Sequence, residues 1–249
     1  MQYDFSVPES RERVAVITDI HGNLPALEAA LSRIEELGID DVYCGGDLVG
    51  YGPWPNEVCR LLQGRGIPTI YGNYDYSIAR DMEDCGCAYR DPHDQALGEL
   101  SIAWTLEHTD PASKGFMREL PFDRRFELAG KVVRVVHGSP RKVNEYLFED
   151  KPAHTFARIA RGAECDVLVF GHTHKPWIHE YGGVLFVNCG SVGKPKDGDR
   201  RGGFAVLEDA GGMVRARIER VEYDVDRVAR EIGPSGLPAE YGEQLLAAA

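Results

Sequence analysis

Between residues 14 and 71 the chain alternates short β-branched runs with amphipathic stretches, in the order strand, helix, strand, helix, strand. Residues 14–18 are a compact apolar run of the kind that forms a buried strand. Leu24, Leu27, Leu31, Ile34 and Leu37 then recur at three- and four-residue steps, the pattern of an amphipathic helix. Asn23 suits its N-cap, Pro25 its first turn and Gly38 its end. Residues 41–44 read as the second strand, 56–62 as a helix and 68–71 as the third strand. Strands separated by helices pair in parallel through right-handed crossovers, so an α/β fold is predicted.

The middle departs from this rhythm. Residues 76–117 carry mainly helical periodicity, clearest over 96–106, and read as a helical insertion. Strands resume at 125–128 and 132–136, with Ala129-Gly130 between them as a hairpin turn. Further strand-like runs at 166–170, 184–187, 203–207 and 214–218 are separated by Gly-rich turns, which predicts a partly antiparallel second half. Residues 224–232 and 239–248 read as C-terminal helices. There is no internal repeat and no low-complexity linker, so the 249 residues are expected to form a single domain, 1–249.

Composition narrows the function classes. Hydrophobic residues at 43% and charged residues at 27% supply a core and exclude a disordered or fibrous chain. No apolar run approaches the roughly 18 residues of a membrane-spanning helix. The polar start, residues 1–13, lacks the apolar stretch of a secretory signal, so a cytoplasmic location is expected. A net charge of −12 argues against stable binding to nucleic acid, where Lys and Arg must displace counterions. It leaves a small anionic substrate open, because a bound metal reverses the local field. Six scattered cysteines read as reduced thiols, mostly small core residues. Cys85-Gly86-Cys87 is the one close pair, too tightly spaced for a zinc knuckle.

The chemistry sits where strands end. Asp19-Ile20-His21 follows the first strand, Gly46-Asp47 the second, Gly72-Asn73 the third, His137-Gly138 the 132–136 strand, and Gly171-His172-Thr173-His174 the 166–170 strand. Ligands of open α/β sheets bind beyond the carboxyl ends of the strands. In extended chain, residues two apart share a side, so Asp19 with His21 and His172 with His174 are each expected to converge. Seven O/N donors are too many for one tetrahedral metal and suit two metals with a bridging carboxylate. Two cations about 3.5–4 Å apart clamp the attacking and leaving oxygens of a displacement at phosphorus and supply hydroxide near neutral pH. A donor set without thiolate favours manganese, iron, zinc or nickel.

These residues resemble the calcineurin-like metallophosphoesterases, whose pattern runs D-x-H, G-D-x-x-G, G-N-H-[DE], H, then G-H-x-H. Here it reads Asp19-Ile20-His21, Gly46-Asp47-Leu48-Val49-Gly50, Gly72-Asn73-Tyr74-Asp75, His137 and Gly171-His172-Thr173-His174, five blocks in family order over about two-thirds of the chain. The stretches 19–27, 46–52 and 188–193 look like the small bacterial phosphodiesterase branch. The resemblance implies a four-layer α/β/β/α sandwich with two central mixed sheets. It also implies Asp19, His21 and His174 on one divalent or trivalent transition metal ion, Asn73, His137 and His172 on the other, and Asp47 bridging. Asn73 is further implied to touch the substrate phosphate. The implied activity is attack of a metal-bound hydroxide on a phosphodiester, and by extension on a phosphomonoester or nucleotide.

One position departs from the pattern. Tyr74 stands where the family carries a His that protonates the leaving group. A phenol, of unperturbed pKa about 10, is the weaker acid. Tyr74 is therefore either a weak donor or a wall of the pocket. His93, His108, His154 and His179 match no motif and read as surface or loop residues. Ser139 and Ser191 lack the G-x-S-x-G context of a serine hydrolase, and 190–194 lacks the full phosphate-loop pattern. Arg124-Arg125 and 194–201 read as charged, solvated turns, the second within possible reach of substrate. A diadenosine polyphosphate hydrolase, a protein phosphatase or a non-catalytic scaffold on the same fold are the alternatives. The complete donor set favours the enzyme. Oligomeric state is not legible.

Overall fold

A computed structural model describes residues 12–89 and 91–249. The expectation of no secretory signal rests on residues 1–13, of which 1–11 lie outside the described residues. The elements run β1 (Arg13–Ile17), α1 (Leu24–Glu36), β2 (Asp41–Cys44), α2 (Pro55–Gly64), α3 (Asn73–Ala79), α4 (Pro92–His108), α5 (Pro111–Arg118), β3 (Asp123–Leu128), β4 (Lys131–Val136), α6 (Ala153–Ala163), β5 (Val167–Phe170), β6 (Trp177–Tyr181), β7 (Val184–Asn188), β8 (Gly202–Asp209), β9 (Val214–Val221), α7 (Val225–Ile232) and α8 (Glu240–Ala247). They make two mixed sheets, ordered β2-β1-β8-β9 and β3-β4-β5-β7-β6. β1 and β2 are parallel, as are β4, β5 and β7; the other pairs are antiparallel.

Period-two alternation explains the layering. On β1, Ala15 and Ile17 face α1 and α2, meeting Leu27, Ile34 and Val58. Val14 and Val16 face the other way, against Val133, Val135, Val167 and Val169 of the second sheet. On β5 the next residues in register, Leu168 and Phe170, pack on Phe156 and Ile159 of α6. Each strand thus feeds two cores, and the layers follow as α/β/β/α. Burying each such Val, Leu or Phe is worth about 1.5–3 kcal/mol. A charge at Val16 would sit between the sheets with no partner.

The start of α1 is as the sequence predicts: Asn23 Oδ1 accepts from Ala26 N at 3.2 Å. Ala129 and Gly130, with φ of +55° and +68°, make the left-handed two-residue hairpin between β3 and β4. The helical stretch after Asn73 is joined to the main core, where Ile78, Ile102 and Met117 share a cluster with Ile17 and Leu27.

Several expectations are corrected. Residues 68–71 do not form a strand but one parallel bridge, Cys44 to Thr69. Pro68 has no N–H to extend the ladder, and Tyr71 N turns away to Pro121 O at 3.1 Å. Helix α6 and edge strand β6 carried no clear signal. α6 starts at Pro152 without a side-chain cap and buries two small alanines beside Phe156 and Ile159. Arg124 and Arg125 lie on β3 rather than in a turn, and Arg125 pairs with Glu164 at 2.9 Å. His93, His108, His154 and His179 are exposed, but on α4, α6 and β6 rather than in loops. All six cysteines are free thiols. No described helix is long and apolar enough to cross a membrane.

Candidate metal centre

The seven predicted donors meet at one place. Asp19 and His21 follow β1, Asp47 follows β2, Asn73 opens α3, His137 follows β4, and His172 and His174 follow β5. The carboxyl ends of strands from both sheets therefore supply the cluster, and all seven side chains are buried. Of the two closely spaced pairs, Asp19 and His21 converge on one group, whereas His172 and His174 part to different groups, and neither pair lies in extended chain. Asp19, His21, Asp47, His172 and His174 all have left-handed backbones, with φ between +51° and +66°. Non-glycine residues rarely hold that conformation, and it concentrates where surrounding structure imposes it for function. Close packing imposes it here: a Cβ on Gly72 would lie 2.0 Å from Asp47 Oδ1, and one on Gly171 2.1 Å from Asp19 Oδ2.

The donors form two groups, Asp19, His21 and His174, and Asp47, His137 and His172, each with ligand atoms within 4.8 Å of one another. In the first, His21 Nε2 lies 3.1 Å from His174 Nε2, and His174 Nε2 lies 3.2 Å from Asp19 Oδ1. In the second, His137 Nε2 lies 3.1 Å from Asn73 Oδ1, 3.2 Å from His172 Nδ1 and 3.3 Å from Asp47 Oδ2. The same Asp47 oxygen lies 3.6 Å from His21 Nε2, so it stands between the groups.

Tautomers decide what these contacts mean. His21, His137 and His174 each set Nδ1 against a backbone carbonyl, those of Val49, Gly45 and Lys194. Each Nδ1 must therefore donate, which in the neutral ring leaves Nε2 as a lone pair aimed inward; His137 offers that lone pair only once it gives up its proton. Carboxylate and amide oxygens face the same points. So many acceptors at one place repel one another unless a cation or a proton lies among them. The residues fit a metal on this ground.

The charge states agree. Burial holds His21 down to about 3, with Asp47 and Asp19 only partly opposing it. Burial and neighbouring cations likewise hold His172 and His174 well below the usual imidazole range. For His137 burial is again the largest effect and lowers the pKa, but Asp47, Asp19 and the hydrogen bonds to Asp47 and Gly45 together outweigh it and carry the group up to about 10. In the metal-free chain a proton on His137 does part of a cation's work.

The surrounding residues were largely hidden in the sequence. Asp75, present in the motif without an assigned role, accepts from Asp47 N at 2.7 Å, Leu48 N at 2.8 Å and Gly72 N at 2.9 Å, tying two ligand loops together. Thr18 Oγ1 and His172 N donate to Asp19. The Tyr146 ring lies 4.0 Å from that of His172. Lys194 corrects the reading of 194–201 as a solvated turn. It is buried, its Nζ donates to Gln244 Oε1 at 2.9 Å, and its carbonyl orients His174. Gln244 and Tyr241 of α8, some fifty residues downstream, cover it together with Tyr51.

Tyr74 is buried in the position of the family's His. Its ring lies edge-on to His21 at 5.5 Å and 4.9 Å from that of Tyr51, whose hydroxyl is the neighbour of its own. Burial, then Tyr51, pushes the phenol well above its usual pKa. Asn73 presents Oδ1 to the second group, while its Nδ2 donates to Cys85 O at 3.2 Å and Cys87 Sγ at 3.3 Å.

Comparison with known proteins places this arrangement. An uncharacterized protein of Methanocaldococcus jannaschii, MJ0912, is 31% identical, over 95% of this chain and 98% of its own length. A metallophosphoesterase structure from Sphaerobacter thermophilus matches with a TM-score of 0.77 and 28% identity, over 96% of this chain and all of that one. The phosphodiesterase YfcE of Escherichia coli is 27% identical, over 73% of this chain and 80% of its own. Residues 13–211 match the calcineurin-like phosphoesterase superfamily domain. With its two mixed sheets and its family motifs in order, the chain belongs to the calcineurin-like phosphoesterase superfamily and is an enzyme of the metal-dependent phosphoric ester hydrolase type.

Proposed function

We propose that the centre holds two transition metal ions and that the enzyme hydrolyses a phosphodiester bond in a small phosphate ester. The carrying observation is the pair of inward-facing acceptor clusters with Asp47 Oδ2 between them. Asp19, His21 and His174 would hold one ion, Asn73, His137 and His172 the other, and Asp47 both. The O/N donor set suits manganese, iron, zinc or nickel. Bound there, the ions would neutralise charge on the phosphate and supply a nucleophile at neutral pH.

The chain's own residues prepare the site. The carbonyls of Val49, Gly45 and Lys194 keep three imidazole Nε2 atoms aimed inward. Asp75 fixes the loops that carry Asp47 and Asn73. Tyr74 lines the pocket rather than donating a proton, since burial suppresses its acidity. The likeness to a named phosphodiesterase favours a diester over a monoester. A test compares the chelator-stripped chain with the manganese-loaded chain on bis(p-nitrophenyl) phosphate and p-nitrophenyl phosphate. Metal-dependent turnover, faster on the diester, is expected. No turnover with any of the four metals would reject the reading.

A further inference from the structure

We propose that the Cys85-Gly86-Cys87 turn is a positioning clamp for Asn73, fixing the face of its amide that turns toward the second donor group. The proposal rests on the two-ion reading for its consequence, though not for its geometry. The amide of Asn73 has two chemically opposite ends. On the nitrogen side stand two acceptors, Cys85 O at 3.2 Å and Cys87 Sγ at 3.3 Å. On the oxygen side stand His137 Nε2 at 3.1 Å and the rest of that group. A flipped amide would set Oδ1 against a carbonyl and a sulfur and would offer the centre N–H groups, which bind no cation.

The turn is built for this. Gly86 has φ +66°, and a Cβ there would lie 2.6 Å from Asn144 Nδ2. Asp84 Oδ1 accepts from Gly86 N at 2.8 Å, and Asn144 Nδ2 donates to Gly86 O at 2.9 Å. Two residues on, Ala88 N donates to the Tyr146 hydroxyl at 3.4 Å, and the Tyr146 ring lies against His172. The turn is thereby tied to a second member of the same group. Its i, i+2 spacing has a purpose that metal knuckles do not share: the first cysteine contributes its carbonyl and the second its sulfur. Cys87 lies outside the donor groups themselves, so it acts through Asn73 and not as a ligand.

The test uses the full chain with Cys87→Ala, which removes the acceptor, and Cys87→Ser, which keeps one. In the metal-free protein the Asn73 side-chain amide resonances, assigned by their loss in Asn73→Asp, report the clamp directly. Cys87→Ala is expected to shift them and speed their solvent exchange about tenfold or more, with Cys87→Ser close to wild type. Manganese titration then reports the consequence. Partners behind a ligand typically matter about 10–100-fold in metal affinity, so Cys87→Ala should weaken the second equivalent about tenfold and leave the first unchanged. Asn73 resonances identical in all three proteins would overturn the clamp, whatever the metal count. A wild-type chain taking up one ion would overturn the two-ion reading, and with it only the affinity consequence.

Discussion

His21 and His174 turn their Nε2 atoms toward each other at 3.1 Å while each gives Nδ1 to a backbone carbonyl. Neutral rings in this arrangement need a cation between them, and burial keeps them neutral. The sign of the pH dependence follows. A His whose folded pKa is depressed adds stability above its unfolded value near 6.5, and that stability is lost as pH falls toward the folded pKa. His21, His172 and His174 all act in this direction. Asp75, raised by burial and Asp47 to about 7, opposes them with one proton. Urea melts of the metal-free chain should show stability falling as pH is lowered from 6.5. Stability rising over that range would contradict the neutral-imidazole assignment.

His137 titrates the other way. Held up to about 10, it carries a proton at pH 8 in the metal-free chain and must lose it to bind an ion through Nε2. Filling the second group should release about one proton, and its affinity should climb with pH toward 10. Calorimetry in buffers of different ionisation enthalpy measures the release. Buffer-independent heats at pH 8 would show His137 already neutral.

Asp47 should be the least replaceable donor, because one of its oxygens faces both groups and the other accepts from Tyr74 N at 2.9 Å. Asp47→Asn removes a charge that offsets repulsion between two cations. Impaired uptake of both ions and loss of turnover are expected, read by elemental analysis and a diester assay. Wild-type uptake and turnover in Asp47→Asn would mean that another group bridges.

Tyr74→Phe should leave the dependence of turnover on leaving-group pKa unchanged, because burial suppresses the acidity of the hydroxyl it removes. Tyr74→His should flatten the dependence if its ring reaches the leaving oxygen, since general acid catalysis is typically worth about 10²–10⁴-fold. A steeper dependence in Tyr74→Phe would make the phenol a proton donor after all.

What the sequence made legible was local. The Val14 to Ile17 run, the Leu24 to Leu37 periodicity and the donors placed just after strands can all be read without knowing what packs where. What it hid depends on distant chain. Left-handed backbones at Asp19, His21, Asp47, His172 and His174 run against residue preference and are held by close packing between loops. Lys194 looks solvated within a charged run until α8 covers it. The 68–71 strand failed because pairing needs N–H groups as well as apolar residues, and Pro68 lacks one. Cys87 fell outside every metal spacing because its partner is an amide.

Anomalous diffraction from crystals soaked with manganese tests the central claim most directly. Two peaks per chain are predicted, one bounded by Asp19, His21 and His174, the other by Asn73, His137 and His172, with Asp47 touching both. A single peak, or two peaks that do not share Asp47, would contradict the bridged two-ion centre.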